Sequence, residues 1–314
     1  MYDTRVSVVI PTYGKRRMLE QTLRSLESQT YPAGLTEVVI VDDCSADDTP
    51  QFLSSLKAPF TLRTVRHDVN RGRSAARNTA VNDATGDLVV FIDDDMRCEP
   101  DLLEEHVKCH KAHPDSVVIG SALTAPEFGH STAFSYLDGM GVHRLPPDSR
   151  SPARYFVTNN ASVARQALID VGLFDEDFTV YGCEDTEIAF RLEDQAGLGF
   201  RYCSTAVAYH IHHQTLDQVL SKRSETACSL LQLLAKHPHR ASELSLDVLM
   251  PPRPGDGPGL RIRKLAVAAA TNTLFRGAVR ALARRVWLRR LSVPVMVYLI
   301  ACQYRRGLAR AVCR

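Results

Sequence analysis

The sequence predicts an α/β fold built on a mostly parallel sheet, and three observations carry that expectation. The first is a set of short runs rich in β-branched residues: Val6-Ser7-Val8-Val9-Ile10, Val38-Val39-Ile40-Val41 and Leu88-Val89-Val90-Phe91-Ile92. Near-continuous apolar runs of this length suit strands covered on both faces. The second is the helical spacing between them. Met18-Leu19, Thr22-Leu23 and Leu26 form an i, i+4, i+8 stripe, and a further helical segment spans roughly Arg73 to Asn82. The third is that each run ends in polar residues: Pro11-Thr12-Tyr13, Asp42-Asp43-Cys44-Ser45 and Asp93-Asp94-Asp95. An alternating β-α-β-α-β chain binds its ligand at the carboxyl ends of its strands, where these residues fall.

The later elements follow in order. Residues 121 to 155 fill with Gly, Pro, His and Ser and predict a long loop or lid. Order returns at Phe156-Val157, and a helix is expected from near Glu184, with Glu187 and Arg191 spaced for an i, i+4 ion pair. Ala206-Val207-Ala208-Tyr209 reads as a strand leading into His210-Ile211-His212-His213. The expected division is a body over 1–225 and a helical C-terminal region over 226–314, within which the Pro/Gly-rich run near 250–259 predicts a linker ahead of a basic tail over 261–314.

Composition narrows the function. The 314 residues carry 38 Lys+Arg against 36 Asp+Glu, with 45% hydrophobic and 24% charged residues, which excludes disordered, collagenous and coiled-coil classes. The near-neutral total conceals a division. Residues 261–314 hold 13 Lys/Arg and no Asp/Glu, leaving 25 basic against 36 acidic before them. Phe275, Val279, Leu282 and Val286 recur beside a stripe of Arg276, Arg280 and Arg284, with Trp287 adjacent, as in an amphipathic basic helix at a membrane interface. Packing on the body or on a partner is the competing expectation. Nucleic acid fits less well, because stacking aromatics are sparse. The eight scattered cysteines suggest reduced thiols, and the start lacks a secretory pattern. The longest uncharged apolar stretch, Leu291 to Tyr304, contains Pro294 and is short of a span. The expected setting is cytoplasmic, peripheral on the inner face of a membrane.

The sharpest chemical signal is Asp93-Asp94-Asp95, a D-x-D motif. In an extended segment Asp93 and Asp95 face the same side and converge on one point, while Asp94 faces away. Two adjacent carboxylates call for a hard divalent ion, Mg²⁺ or Mn²⁺; an acidic turn capping the next helix is the plain alternative. His106, His110 and His113, with Cys109 between, recur at helical spacing; a solvated helix face is favoured over a zinc site there.

Taken in order, Val-Val-Ile-Pro-Thr-Tyr, Val-Asp-Asp-Cys-Ser, Asn70-Arg71-Gly72 with Ala76-Arg77-Asn78, and Phe-Ile-Asp-Asp-Asp resemble family 2 glycosyltransferases of the GT-A fold. So do Asn160-Ala161-Ser162, Val171-Gly172-Leu173-Phe174-Asp175-Glu176 and Gly182-Cys183-Glu184-Asp185, and the resemblance covers residues 5 to about 225. It implies a nucleotide-sugar half over about 1–120 and an acceptor half over about 121–225. The implied activity is inverting, metal-dependent transfer from a nucleotide-diphospho-sugar, UDP-linked by preference, to a hydroxyl of a glycan or lipid-linked acceptor. The same resemblance implies that Pro11, Tyr13, Asp43, Arg77, Asp93 and Asp94 line the donor pocket, with Asp43 accepting from a uracil N–H. It further implies metal ligation by Asp95, Asp93 and His210, with His212 the second choice. Asp185 is the implied general base beside Glu184, and Asn160 and Cys183 are implied acceptor contacts. Cys183 departs from the aromatic residue frequent before the Glu-Asp pair in that family. A sugar nucleotidyltransferase would want a Gly-rich loop where Pro11-Thr12-Tyr13-Gly14-Lys15-Arg16 stands, and a nicotinamide enzyme a G-x-G-x-x-G. A non-catalytic nucleotide-sugar-binding scaffold is the third alternative, disfavoured by the intact acidic set.

Overall fold

The protein is described by a computed structural model covering residues 2–128, 138, 141–212, 215–244, 257–270 and 301–302. The stripe from Phe275 to Val286, Trp287 and most of the 250–259 linker lie outside the described residues. Two compact units divide the chain: Met1–Phe128, Met140–Thr179 and Glu184–His212 form the first, and Gly129–Gly139, Val180–Cys183 and His213–Arg314 the second.

In the first unit the three apolar runs become strands β1 (Val6–Thr12), β2 (Thr36–Asp42) and β4 (Leu88–Ile92). Helix α1 (Arg16–Glu27) follows β1. A short helix α2 (Thr49–Ser55) leads to β3 (Thr61–Arg66), and α3 (Arg73–Asp83) leads to β4. After β5 (Met96–Cys98) come α4 (Leu102–Ala112), β6 (Ser116–Thr124), β7 (Asn160–Ala164), α5 (Arg165–Asp170), α6 (Glu184–Asp194) and β8 (Gly199–His210).

The strands form one sheet in the order β3-β2-β1-β4-β7-β6-β8-β5. Pairings β1–β2, β1–β4, β2–β3 and β6–β8 are parallel, whereas β4–β7, β6–β7 and β5–β8 are antiparallel. The sheet is therefore mixed, with four of its seven pairings parallel. The expected parallel arrangement holds in the first half, where helices connect the strands, and is lost where β7 enters against β4.

Both faces of the central strands are covered, as their apolar runs require. Val6, Val8, Ile10, Val38, Ile40, Val90 and Ile92 pack with Leu19, Leu23 and Leu26 of α1 and Leu102, Leu103 and Val107 of α4. On the opposite face α3 packs on β1 and β2 through small residues, Ala75, Ala76 and Ala80 all being buried. Burying a side chain such as Leu23 or Ile40 contributes about 2 kcal/mol. β3 has no fully buried residue, and Arg63 and Arg66 keep this edge charged.

The helix expected near Glu184 begins at Glu184, and the i, i+4 pair of Glu187 and Arg191 forms within it. Arg191 also donates to the carbonyls of Val171 and Leu173, fixing the chain that follows α5.

In the second unit, helix α7 (Leu216–Lys236) starts with a capping box between Thr215 and Gln218. Its Ser229 hydroxyl donates to the carbonyls of Val180 and Tyr181, both at 3.3 Å. Helix α8 (Pro258–Ala270) carries Arg261, Arg263 and Lys264. Among the described residues no helix is long and apolar enough to cross a membrane.

Candidate active site

β4 stops at Ile92, and Asp93-Asp94-Asp95 turns into β5. β5 pairs with β8 in a register that sets Met96 opposite His210, and the Ile211 N–H donates to the Asp95 carbonyl at 2.9 Å. Two distant segments thus meet at one rim. His212 Nδ1 lies 2.9 Å from Asp95 Oδ2 and His210 Nδ1 lies 3.8 Å from Asp95 Oδ1. One ligand atom from each of the three lies within 4.8 Å of the others. Both Nδ1 atoms are buried, and neither makes a well-directed hydrogen bond. Two imidazole nitrogens converging with a buried carboxylate are a ligand set that fits a divalent ion. Burial works against the Asp95 charge, yet His210, His212 and Lys15 hold its carboxyl well below the usual range.

Asp93 stands apart from this cluster. The side-by-side placement of Asp93 and Asp95 fails because strand alternation ends at Ile92, and a turn obeys no such rule. Asp94 does not face away either: Lys15 Nζ binds Asp94 Oδ1 and Asp95 Oδ2, each at 2.9 Å. Burial, eased by Lys15, pushes the Asp94 carboxyl up to about 6.

Asp93 turns to Arg77 instead. This arginine, on α3, is only 4% exposed. Its guanidinium reaches Glu184 Oε1 at 3.3 Å, Asp93 Oδ1 at 3.5 Å and Asp185 Oδ1 at 3.5 Å, and lies over the Phe174 ring at 5.6 Å. One cation therefore ties the β4–β5 turn to the start of α6. Asp185 also accepts from the Thr158 hydroxyl at 2.9 Å. Burial, then the neighbouring Glu184 charge, pushes its carboxyl up to about 7, against the pull of Arg77.

The three residues entering β7 divide their tasks. Thr158 holds Asp185, the Asn159 amide meets His210 Nε2 at 3.2 Å, and Asn160 turns into the core. Asn160 is fully buried: it donates to the carbonyls of Ser121 (3.1 Å) and Ala206 (2.8 Å), and its own carbonyl faces His106 at 2.8 Å. It offers no exposed polar atom to an acceptor; of the Asn pair, the half-buried Asn159 faces the site. His106 and His110 likewise depart from a solvated helix face. Both contact the Ser162 hydroxyl at 2.8 Å, and burial pulls both imidazoles down to about 4. Cys183 belongs to the second unit, where its Sγ lies 4.0 Å from the Thr226 carbonyl.

At the carboxyl end of β1, Tyr13 is exposed and Pro11 half-buried. Asp43 is buried, and its Oδ1 accepts the Arg71 N–H at 2.9 Å and meets His67 Nδ1 at 2.7 Å. Its Oδ2 accepts the Gly72 N–H at 2.8 Å. Of about four acceptor sites on a carboxylate, one on Oδ2 remains. Gly72 adopts φ +85, a left-handed value that glycine reaches without strain, so the loop can close on Asp43. Sequence reasoning missed Lys15, His67, Thr158 and Asn159. Only Lys15 carried a signal, as the first of three successive cations, Lys15-Arg16-Arg17, just past the β1 end.

The glycosyl transferase family 2 model matches residues 7–171, just over half of the chain. An uncharacterized glycosyltransferase, YfnE, of Bacillus subtilis is 31% identical over 67% of this chain and 65% of its own length. Validoxylamine A glucosyltransferase of Streptomyces hygroscopicus is 30% identical over 60% of this chain and 51% of its own. The chain thus spans between about half and just under two thirds of these curated relatives. Among solved structures, the mannosyltransferase PcManGT from Pyrobaculum calidifontis, in complex with GDP-Man and Mn²⁺, matches with a TM-score of 0.67. It is 23% identical, over 99% of this chain and 88% of that one, a likeness of fold.

Proposed function

The chain belongs to glycosyl transferase family 2, and on that premise we propose that it transfers a sugar from a nucleotide-diphospho-sugar to an acceptor hydroxyl with inversion. The observation that carries this reading is Asp185. It is a carboxylate raised to about 7 at the same rim as Asp95, His210 and His212, to which Arg77 and Asp93 connect it. A base tuned near neutrality can take a proton from an alcohol and still be ionised when needed.

In this reading Asp185 accepts the acceptor proton on a carboxylate oxygen as the hydroxyl oxygen bonds to the anomeric carbon and the diphosphate leaves from the opposite face. Thr158 and Arg77 hold that carboxylate in place, and Glu184, itself 2% exposed, keeps its basicity high. Asp95, His210 and His212 would hold the divalent ion, Mn²⁺ in preference to Mg²⁺, and the ion would supply Lewis-acid neutralisation of the departing diphosphate. The Mn²⁺ bound by PcManGT supports that choice. Asp93 keeps a supporting part through Arg77. Asp43, with one acceptor site open, suits a base that presents a ring N–H beside a carbonyl, as uracil and guanine do. Pro11 and Tyr13 would flank the base, and Asn159 replaces Asn160 as the acceptor-side amide. The acceptor class remains a glycan or lipid-linked hydroxyl, and the Arg276–Arg280–Arg284 stripe supports a peripheral membrane position.

The test is transfer and hydrolysis across a panel of UDP- and GDP-sugars with Mn²⁺. Asp185→Asn should lose transfer while retaining nucleotide binding. Normal transfer by that variant would refute the base assignment, and failure of every donor would favour the non-catalytic scaffold.

A further inference from the structure

Lys15 occupies a position that the proposed ion also needs. Its Nζ lies 2.9 Å from Asp95 Oδ2, the same oxygen that His212 Nδ1 approaches at 2.9 Å. Its second partner, Asp94, is anchored by the Thr12 hydroxyl at 2.8 Å. Exposure differs sharply: the Asp94 and Asp95 side chains are 6% and 5% exposed, whereas that of Lys15 is 41% exposed. The carboxylates are buried, whereas the ammonium sits at the end of a partly exposed four-carbon stem whose rotamers can carry it elsewhere. Gly14, at φ +64, leads directly into Lys15, which caps α1 without a side-chain hydrogen bond to the helix.

We infer that Lys15 is an internal counter-cation that neutralises Asp95 until a divalent ion takes that oxygen, and that it then pairs with the donor diphosphate, so that ion and donor bind cooperatively through one ammonium. The inference rests on the assignment of Asp95, His210 and His212 as the ion site. Its logic is electrostatic. An ion arriving alone must break the Lys15–Asp95 contact and tolerate a unit positive charge within a few ångströms. When a diphosphate arrives too, the ammonium exchanges one anion for another and that cost disappears. Repulsion between a unit and a double charge about 5 Å apart in water-like surroundings changes an affinity by about tenfold.

Mn²⁺ binding to the full chain, followed by the electron paramagnetic resonance of free Mn²⁺ with and without UDP or GDP, tests this without reference to turnover. Lys15→Gln should bind Mn²⁺ about tenfold more tightly than the wild type when no nucleotide is present. The additional tightening that nucleotide brings should shrink by a similar factor. Lys15→Arg should keep wild-type affinity. If Lys15→Gln binds Mn²⁺ no more tightly than the wild type while His212→Ala binds it weakly, the ion site stands and the role of Lys15 is refuted. If His210→Ala and His212→Ala both bind as the wild type does, the ion site falls and the inference with it. Should Lys15→Gln fail to fold, the wild type decides: Mn²⁺ and nucleotide binding independently of one another would overturn the inference.

Discussion

Replacing Arg77 with methionine removes a buried cation shared by three carboxylates while keeping most of the side-chain volume. Its guanidinium lies 3.3 Å from Glu184 and 3.5 Å from both Asp93 and Asp185. Breaking a buried ion pair by deleting one partner costs about 3–5 kcal/mol. The lower end applies, because Arg73 still faces Glu184 at 3.4 Å and the Asp93 side chain is 32% exposed. The expected loss is therefore about 3 kcal/mol at pH 8. Its pH dependence follows from Asp185, whose carboxyl stands at about 7 in the folded protein against 3.8 for an unperturbed one. A carboxyl raised by folding stabilises the fold while protonated. That contribution is complete below the unfolded value and fades as pH climbs through the folded value. Without Arg77 the folded value rises further, so the variant loses more stability than the wild type between pH 5 and pH 8. At pH 5 the deficit should contract by up to about 1.4 kcal/mol, the linkage of the one pH unit between the wild-type value and pH 8, leaving about 1.6 kcal/mol. Urea denaturation followed by circular dichroism at both pH values measures this. An equal deficit at pH 5 and pH 8, or one below about 1 kcal/mol at pH 8, would refute the account of Arg77 as the site's shared counter-ion.

Four further outcomes are expected. Wild-type kcat/KM should rise about tenfold per pH unit and level off above about pH 7, and Asp185→Asn should lie about 10²–10⁴-fold lower with no such rise. Glu37, buried and bound by Ser7, Thr85 and the Gly86 N–H, has its carboxyl lowered; burial opposes this and the hydrogen bonds prevail. Glu37→Gln should cost about 2 kcal/mol at pH 7, a deficit that closes as acid protonates the wild-type carboxylate, measured by urea titration at pH 7 and pH 3. An added Cβ at Gly120 would stand 2.4 Å from the buried Asn160 amide nitrogen, so Gly120→Ala should cost about 1–3 kcal/mol in thermal melts. Saturating Mn²⁺, at about a hundredfold over its Kd, should raise wild-type stability by about 2.7 kcal/mol, and EDTA or His212→Ala should abolish that gain.

How much the sequence disclosed depends on how local each feature is. The central strands and α1 were legible because burial on both faces, or on one stripe, writes itself into consecutive residues. The start of α6 at Glu184 and the Glu187–Arg191 pair were legible for the same reason. β3 escaped notice because an edge strand of Thr, Leu, Arg and Val carries little apolar signal. The antiparallel entry of β7 depends on a partner, β4, far away in sequence, and nothing local records it. At the site, residue types were legible and their aim was not. Asp93 and Asp95 were expected to converge, yet the strand ends one residue too early. Asn160 was selected where its neighbour Asn159 faces the rim, because choosing between adjacent residues needs the strand register. His106 looked like surface, since its spacing is helical whether the face meets water or β7.

The register that seats β5 beside β8 also sets a timetable. Asp95 leaves the ribosome long before His210 and His212, and only the docking of a late strand beside an early one brings them together. Contacts so distant along the chain form late, after the entropy of a long loop has been overcome. Tight Mn²⁺ uptake should therefore arise last in refolding, and a slowly developing spectroscopic signal from the ion would serve as a clock for the completion of the sheet.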